Sequence, residues 1–201
     1  MIALIDYGAG NLTSVKKALA HLGASVHVPR AAGELEAADA LIVPGVGHFD
    51  ATAALDATWR RAILAATGMG RPLLGICLGM QWLFEGSDEA PGVAGLALLP
   101  GWCTRLDDEG GTLKVPHVGW NRLHVERECS LLDGTQEGDQ VYFTHSYAAP
   151  VTGDCIASTT HGAPFASIVA RDQIAGVQFH PEKSGQVGLR ILGNFLATVR
   201  G

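Results

Sequence analysis

The chain has 201 residues, 47% apolar and 17% charged, enough apolar sequence for one sizeable core. A net charge of −6 with no basic cluster argues against a nucleic-acid partner, and no apolar run approaches the ~18 residues of a membrane span. Met1 leads straight into strand-like sequence and not into a signal peptide. The four cysteines (Cys77, Cys103, Cys129, Cys155) include no Cys-x-x-Cys pair, and the eight histidines show no zinc spacing. A reduced cytoplasmic protein without metal or cofactor is expected.

Ile2 to Asp6 predicts a first strand, followed by a turn over Tyr7-Gly-Ala-Gly-Asn11. Asn11 suits a helix N-cap, with Leu12, Val15, Leu19 and Leu22 at helical spacing and Gly23 as terminator. Val26 to Val28 is a second strand. Ala40 to Val43 is a third, apolar throughout and therefore central and parallel. It runs into Pro44-Gly-Val-Gly47. Residues 50–66 are alanine-rich and predict one helix, with Leu55, Trp59, Ile63 and Ala66 on one face. Alternating strands and helices of these lengths predict an α/β fold with a doubly wound, mostly parallel central sheet.

Residues 72–84 organise the rest. An apolar run ends at Ile76, Cys77 follows between Gly75 and Gly79, and a helical pattern begins with Met80, Leu83 and Phe84. A lone nucleophile between glycines, at a strand-to-helix turn, is the nucleophile-elbow pattern with cysteine for serine. The tight turn needs neighbours without a Cβ. The following helix points its unpaired N–H groups at the sulfur and favours the thiolate.

Beyond the elbow, the runs 95–105, 112–115, 122–125 and 141–146 predict an antiparallel extension to the sheet. No linker-like stretch separates it, so residues 1–201 read as a single domain. Ser167 to Ala170 and Ala175 to His180 predict a hairpin. Val187, Ile191, Leu192, Phe195, Leu196 and Val199 set a last helix on the core.

A nucleophilic cysteine needs a base, and the base an orienting carboxylate. His180 ends an apolar strand and is followed by Pro181 and Glu182. In an extended segment, residues two apart project to the same side, so both can lean over the strand C-termini where Cys77 sits. His145 competes, but no acid follows it, and a structural role suits it better. An oxyanion hole would take the N–H of Leu78 and a second donor from the glycine loop, at Val46 or Gly47. Gly45 and Gly47 allow the peptide between them to rotate, so this loop can switch between offering a carbonyl and offering an N–H.

Gly-Ile-Cys77-Leu-Gly-Met-Gln together with His180-Pro-Glu182 resembles the class I (triad) glutamine amidotransferases. Asp6-Tyr-Gly-Ala-Gly-Asn11, Pro116-His-Val-Gly-Trp-Asn121 and His180-Pro-Glu-Lys-Ser184 narrow the resemblance to the glutaminase subunits of imidazole glycerol phosphate synthase. The likeness implies that Cys77 attacks the side-chain amide of glutamine, His180 is its base and Glu182 holds the imidazole. Gly45, Gln81, Glu89, His145, Ser146 and Tyr147 match glutamine-binding positions. Asn11, His117, Trp120 and Lys183 match stretches facing a partner, a (β/α)8-barrel cyclase subunit in a heterodimer. That partner uses the ammonia to make imidazole glycerol phosphate and aminoimidazole carboxamide ribotide in histidine biosynthesis. The alternatives are a glutaminase subunit of another synthase, for pyridoxal phosphate or anthranilate, and a free-standing cysteine hydrolase.

Overall fold

The computed structural model describes residues 1–200. Strand β1 (Ile2–Leu4), helix α1 (Leu12–His21), β2 (Val26–His27) and β3 (Ala40–Gly45) open the chain. Asn11 caps α1 by accepting the Ser14 amide at 3.4 Å, and Gly23 turns the chain away with φ 73°. Helix α2 (Ala57–Gly68), β4 (Leu73–Cys77) and α3 (Leu78–Trp82) follow. Short strands β5 (Gly86–Ser87), β6 (Trp102–Arg105), β7 (His117–Arg122), β8 (His124–Val125), β9 (Gln140–His145) and β10 (Tyr147–Ala148) make up the middle. The chain closes with β11 (Cys155–His161), β12 (Ala163–Arg171), β13 (Ile174–Val177) and α4 (Gly185–Arg200).

Eight strands form the main sheet in the order β2-β1-β3-β4-β13-β12-β11-β8. The pairs from β2 to β13 are parallel, and those from β13 outward to β8 are antiparallel. The antiparallel strands thus extend the same sheet, while β7–β9 and β10-β6-β5 flank it. Alternation along the buried strands splits the core. Ile2, Leu4, Ile42, Leu74 and Ile76 pack with α1 and α4, whereas Ala3, Ile5, Leu41, Val43 and Leu73 pack with α2 and α3. Among the described residues no helix is long and apolar enough to cross a membrane.

The structure corrects several local readings. The single helix over 50–66 is two elements: a 3-10 turn over Phe49–Ala54, then α2. Asp56 makes the break, because its carboxylate accepts the Thr58 and Trp59 amides and starts a new helix. The helix after Cys77 spans only five residues. Residues 95–99 form no strand, since their amides bond to carbonyls of the Trp82–Glu85 turn. Residues 112–115 also form none; they lead into the cis Val115–Pro116 bond. β5, β7, β10 and β11 are strands beyond those the sequence predicts; β5 and β10 have only two residues each, and the polar and small residues of β7 and β11 lack a clean apolar alternation.

Candidate active site

β3, β4 and β13 run side by side, and their C-terminal ends gather the site. At the end of β4, Cys77 has φ 53° and ψ −109°, a conformation an L side chain rarely adopts. The flanking glycines are forced. A Cβ on Gly79 would lie 1.8 Å from the Val43 carbonyl oxygen, and one on Gly75 would lie 2.6 Å from that of Gly79. Hydrogen at Gly79 lets the elbow press against β3, and hydrogen at Gly75 lets α3 fold back on β4.

His180 lies beyond the end of β13, anchored by its own N–H to the Tyr142 carbonyl at 2.9 Å. Its Nδ1 is 3.0 Å from Glu182 Oε1, and both side chains are buried. The sequence reading places this pair along an extended segment; in the structure it meets across a 3-10 turn over Pro181–Lys183. Ser184 ties this turn down, donating to the His180 carbonyl at 2.7 Å and accepting the Tyr142 amide at 2.9 Å. Burial lowers the His180 pKa, but the neighbouring Cys77 and the hydrogen-bonded Glu182 outweigh it and raise the value to about 9. Nε2 has no partner within hydrogen-bond distance.

His145 is the opposite case. Burial pushes it down to about 3, so it stays neutral. Its Nδ1 donates to the Tyr147 carbonyl at 2.9 Å, leaving Nε2 to accept from His117 Nδ1 at 3.2 Å. Of two candidate bases, the environment keeps one charged and the other uncharged at neutral pH. Two of the other three thiols are raised by burial. Burial drives Cys103 far above the usual thiol range and Cys155 up to about 11.

The glycine loop packs directly on the elbow. A Cβ on Gly45 would meet Tyr7 Oη at 2.0 Å and Leu78 Cβ at 2.8 Å. The Val46 N–H donates to the Ala9 carbonyl at 2.8 Å, and Gly47 has φ 102°. Glu89 Oε2 accepts the Phe49 amide at 2.8 Å, just past this loop. Gln81 is buried and gives its Nε2 to the Tyr147 carbonyl at 2.7 Å and to Gln178 Oε1 at 3.0 Å. Ser146 accepts the Leu106 amide through its carbonyl. Gln178, absent from the sequence reading, donates to Cys77 Sγ at 3.7 Å. It sits two residues before His180, just past the end of the strand next to the elbow.

The family pattern described as glutamine amidotransferase class-I matches residues 3–199. The chain belongs to the class I glutamine amidotransferases. Within that family, its similarity is to the HisH subunits of imidazole glycerol phosphate synthase. The protein of that name from Methanothermobacter thermautotrophicus is 44% identical over 201 residues, covering 100% of both chains. That from Desulfitobacterium hafniense is 46% identical over 199 residues, covering 97% of this chain and 93% of its own. A solved glutamine amidotransferase superposes with a TM-score of 0.76 at 21% identity, covering 100% and 99% of the two chains, and so shares the fold.

The four positions expected to face a partner divide in this amidotransferase. Trp120 is 54% exposed, its ring edge-on to Tyr142, with Lys183 Nζ 5.8 Å from the same ring. Asn11 is exposed at the start of α1. His117 is buried, stacked between Phe143 and His161, and so underlies the strand without presenting its side chain.

Proposed function

We propose that residues 1–201 act as one amidotransferase domain, the glutaminase subunit of an imidazole glycerol phosphate synthase in histidine biosynthesis. The observation carrying this is the strained Cys77 elbow beside a buried His180–Glu182 pair, in a chain similar over its full length to HisH subunits.

At neutral pH His180 carries its proton. Cys77 Sγ attacks the side-chain amide carbon of glutamine, and the carbonyl electron pair moves onto oxygen. Leu78, first residue of α3, offers its N–H to that oxygen. As the tetrahedral adduct collapses, His180 gives its proton to the departing nitrogen and ammonia leaves a glutamyl thioester. Water attacks the thioester while His180 takes a proton, and glutamate leaves. Glu182 keeps the imidazole oriented and supports its charge. Gln81, Glu89, His145, Ser146, Tyr147 and Gly45 shape the glutamine pocket. His145 does so through its neutral hydrogen bond to the Tyr147 carbonyl.

The second oxyanion donor comes from Val46 or Gly47 after the loop rotates. Supporting this, the Val46 N–H is held by Ala9 and must leave that bond before it can serve an oxyanion. One missing donor costs about 3–4 kcal/mol, or ~10²–10³ in turnover. Ammonia passes to a (β/α)8-barrel cyclase partner, which binds around Asn11, Trp120 and Lys183, with His117 supporting that surface from beneath.

The test is glutaminase turnover of the chain alone, with its co-purified partner, and with partner plus cyclase ligand. The ligand-bound complex should be at least ~10²-fold faster than the chain alone. Equal turnover in all three would rule out the loop switch, and failure to capture a barrel protein would rule out the partner.

A further inference from the structure

Gln178 is fully buried one residue past the end of β13. The last registered pair between β13 and β4 is Val177 with Ile76, so the next step in register sets Gln178 beside Cys77. Residues opposite each other on parallel strands project to the same face. An amide there costs desolvation unless its polar atoms are used.

The polarity of the amide is set from outside. The Tyr147 carbonyl can only accept, so the Gln81 group that approaches it at 2.7 Å is the donor Nε2. The same Nε2 meets Gln178 at 3.0 Å, so the Gln178 atom there is the acceptor Oε1. The NH2 end of Gln178 is thereby turned toward Cys77 Sγ, at 3.7 Å. The Tyr147 carbonyl is itself a fixed point, since it also accepts from His145 Nδ1. Neither end of the Gln178 amide can reverse without losing a buried hydrogen bond.

We propose that Gln178 is a catalytic residue of this site: its side-chain N–H holds the charged Cys77 sulfur on the side away from bulk solvent, and Gln81 fixes the direction of that N–H. This rests on Cys77 being the nucleophile. It assigns the sulfur a second stabilising neighbour besides His180, one that does not titrate. The contribution belongs to the resting state. When the carbon–sulfur bond forms, the negative charge moves to the amide oxygen, and the Gln178 bond weakens as the oxyanion donors engage. Gln178 thus keeps sulfur charged and aimed before glutamine arrives. It also ties the nucleophile to Gln81, a residue of the glutamine pocket.

Iodoacetamide needs the charged sulfur but neither an oxyanion hole nor glutamine. Alkylation of Cys77 in the full-length chain, read by peptide mass because three other cysteines are present, isolates the sulfur from turnover. In Gln178→Glu a carboxylate replaces the donor, and it can still accept from Gln81. Its alkylation rate near neutral pH should fall roughly 10- to 100-fold, with the rate–pH profile moved to higher pH. Gln178→Met, similar in shape and without a donor, should move the same way by less. In the complex, kcat for glutamine should fall in parallel with KM unchanged. A merely structural glutamine would lower the unfolding midpoint and leave the alkylation profile in place. A wild-type profile in Gln178→Glu would overturn the proposal; if Gln178→Met does not fold, the Glu variant decides alone. A shifted profile in a protein whose wild type never turns over glutamine would support the Gln178–sulfur contact and count against the glutamine reading.

Discussion

Replacing Glu182 by Gln keeps a carbonyl oxygen able to accept from His180 Nδ1 but removes the negative charge 3.0 Å away. In the native site two groups, Cys77 and Glu182, raise His180 against the lowering effect of burial, and the result is about 9. Without the carboxylate, burial is opposed by Cys77 alone, and the value drops toward or below the ordinary ~6.5. A fall of ~2 units is worth about 3 kcal/mol of support for the imidazolium. Protonated His180 is the acid that releases ammonia, so kcat/KM should fall on the alkaline side as His180 loses its proton. That limb should have its midpoint near 9 in the native complex and ~2 units lower in Glu182→Gln. At about pH 8 this shift alone removes roughly 10-fold of the protonated form, and at about pH 6 very little. The assay is glutamine hydrolysis in the complex across this range. A Glu182→Gln enzyme whose alkaline midpoint stays where it was would refute the assignment of Glu182 as the charge that holds His180 protonated.

Gly79→Ala places a Cβ 1.8 Å from the Val43 carbonyl oxygen, backbone against backbone. It should cost about 3 kcal/mol or more in urea unfolding, whereas Gly33→Ala, with nothing within 4 Å, should cost little. His145 is held near 3 in the fold and titrates at ~6.5 in the unfolded chain, so the unfolded state binds its proton first. Its contribution to stability is complete above ~6.5 and is lost as pH falls toward 3, about 2 kcal/mol by pH 5; His145→Gln should flatten that part of the stability profile. Lys183→Ala should weaken assembly or uncouple glutamine hydrolysis from synthesis while the free chain stays folded, and unchanged affinity and coupling would remove Lys183 from that role.

The sequence carried the elbow because chemistry and geometry coincide there. Gly75 and Gly79 announce a close backbone approach, and the structure locates the atoms they avoid, the Gly79 and Val43 carbonyls. The parallel strands were legible for a related reason: buried on both faces, Ala40–Val43 and Leu73–Ile76 are apolar without interruption. The middle of the chain was harder. β7 and β9 pair only with each other and keep one face open, so Trp120 and Val118 remain exposed and the apolar pattern is diluted. The link between His180 and Glu182 was legible as spacing, but its turn was not, because Pro181 suits either an extended segment or the first position of a 3-10 turn. Gln178 escaped notice because a single amide in an apolar strand has no periodicity. Its meaning comes from the register that sets it beside Cys77. The sequence separated His180 from His145 by the acid that follows only the first; the burial that keeps His145 neutral was not legible there, because it depends on the surrounding fold.

The central claim is that Cys77 is the nucleophile of glutamine hydrolysis and that the ammonia it releases serves synthesis elsewhere in the complex. Cys77→Ala, assembled with the synthase partner, tests both halves in one experiment. Glutamine-dependent synthesis and glutamine hydrolysis should be abolished, while synthesis driven by added ammonium salt continues at the native rate. Near-normal glutamine hydrolysis by the Cys77→Ala complex would contradict the account.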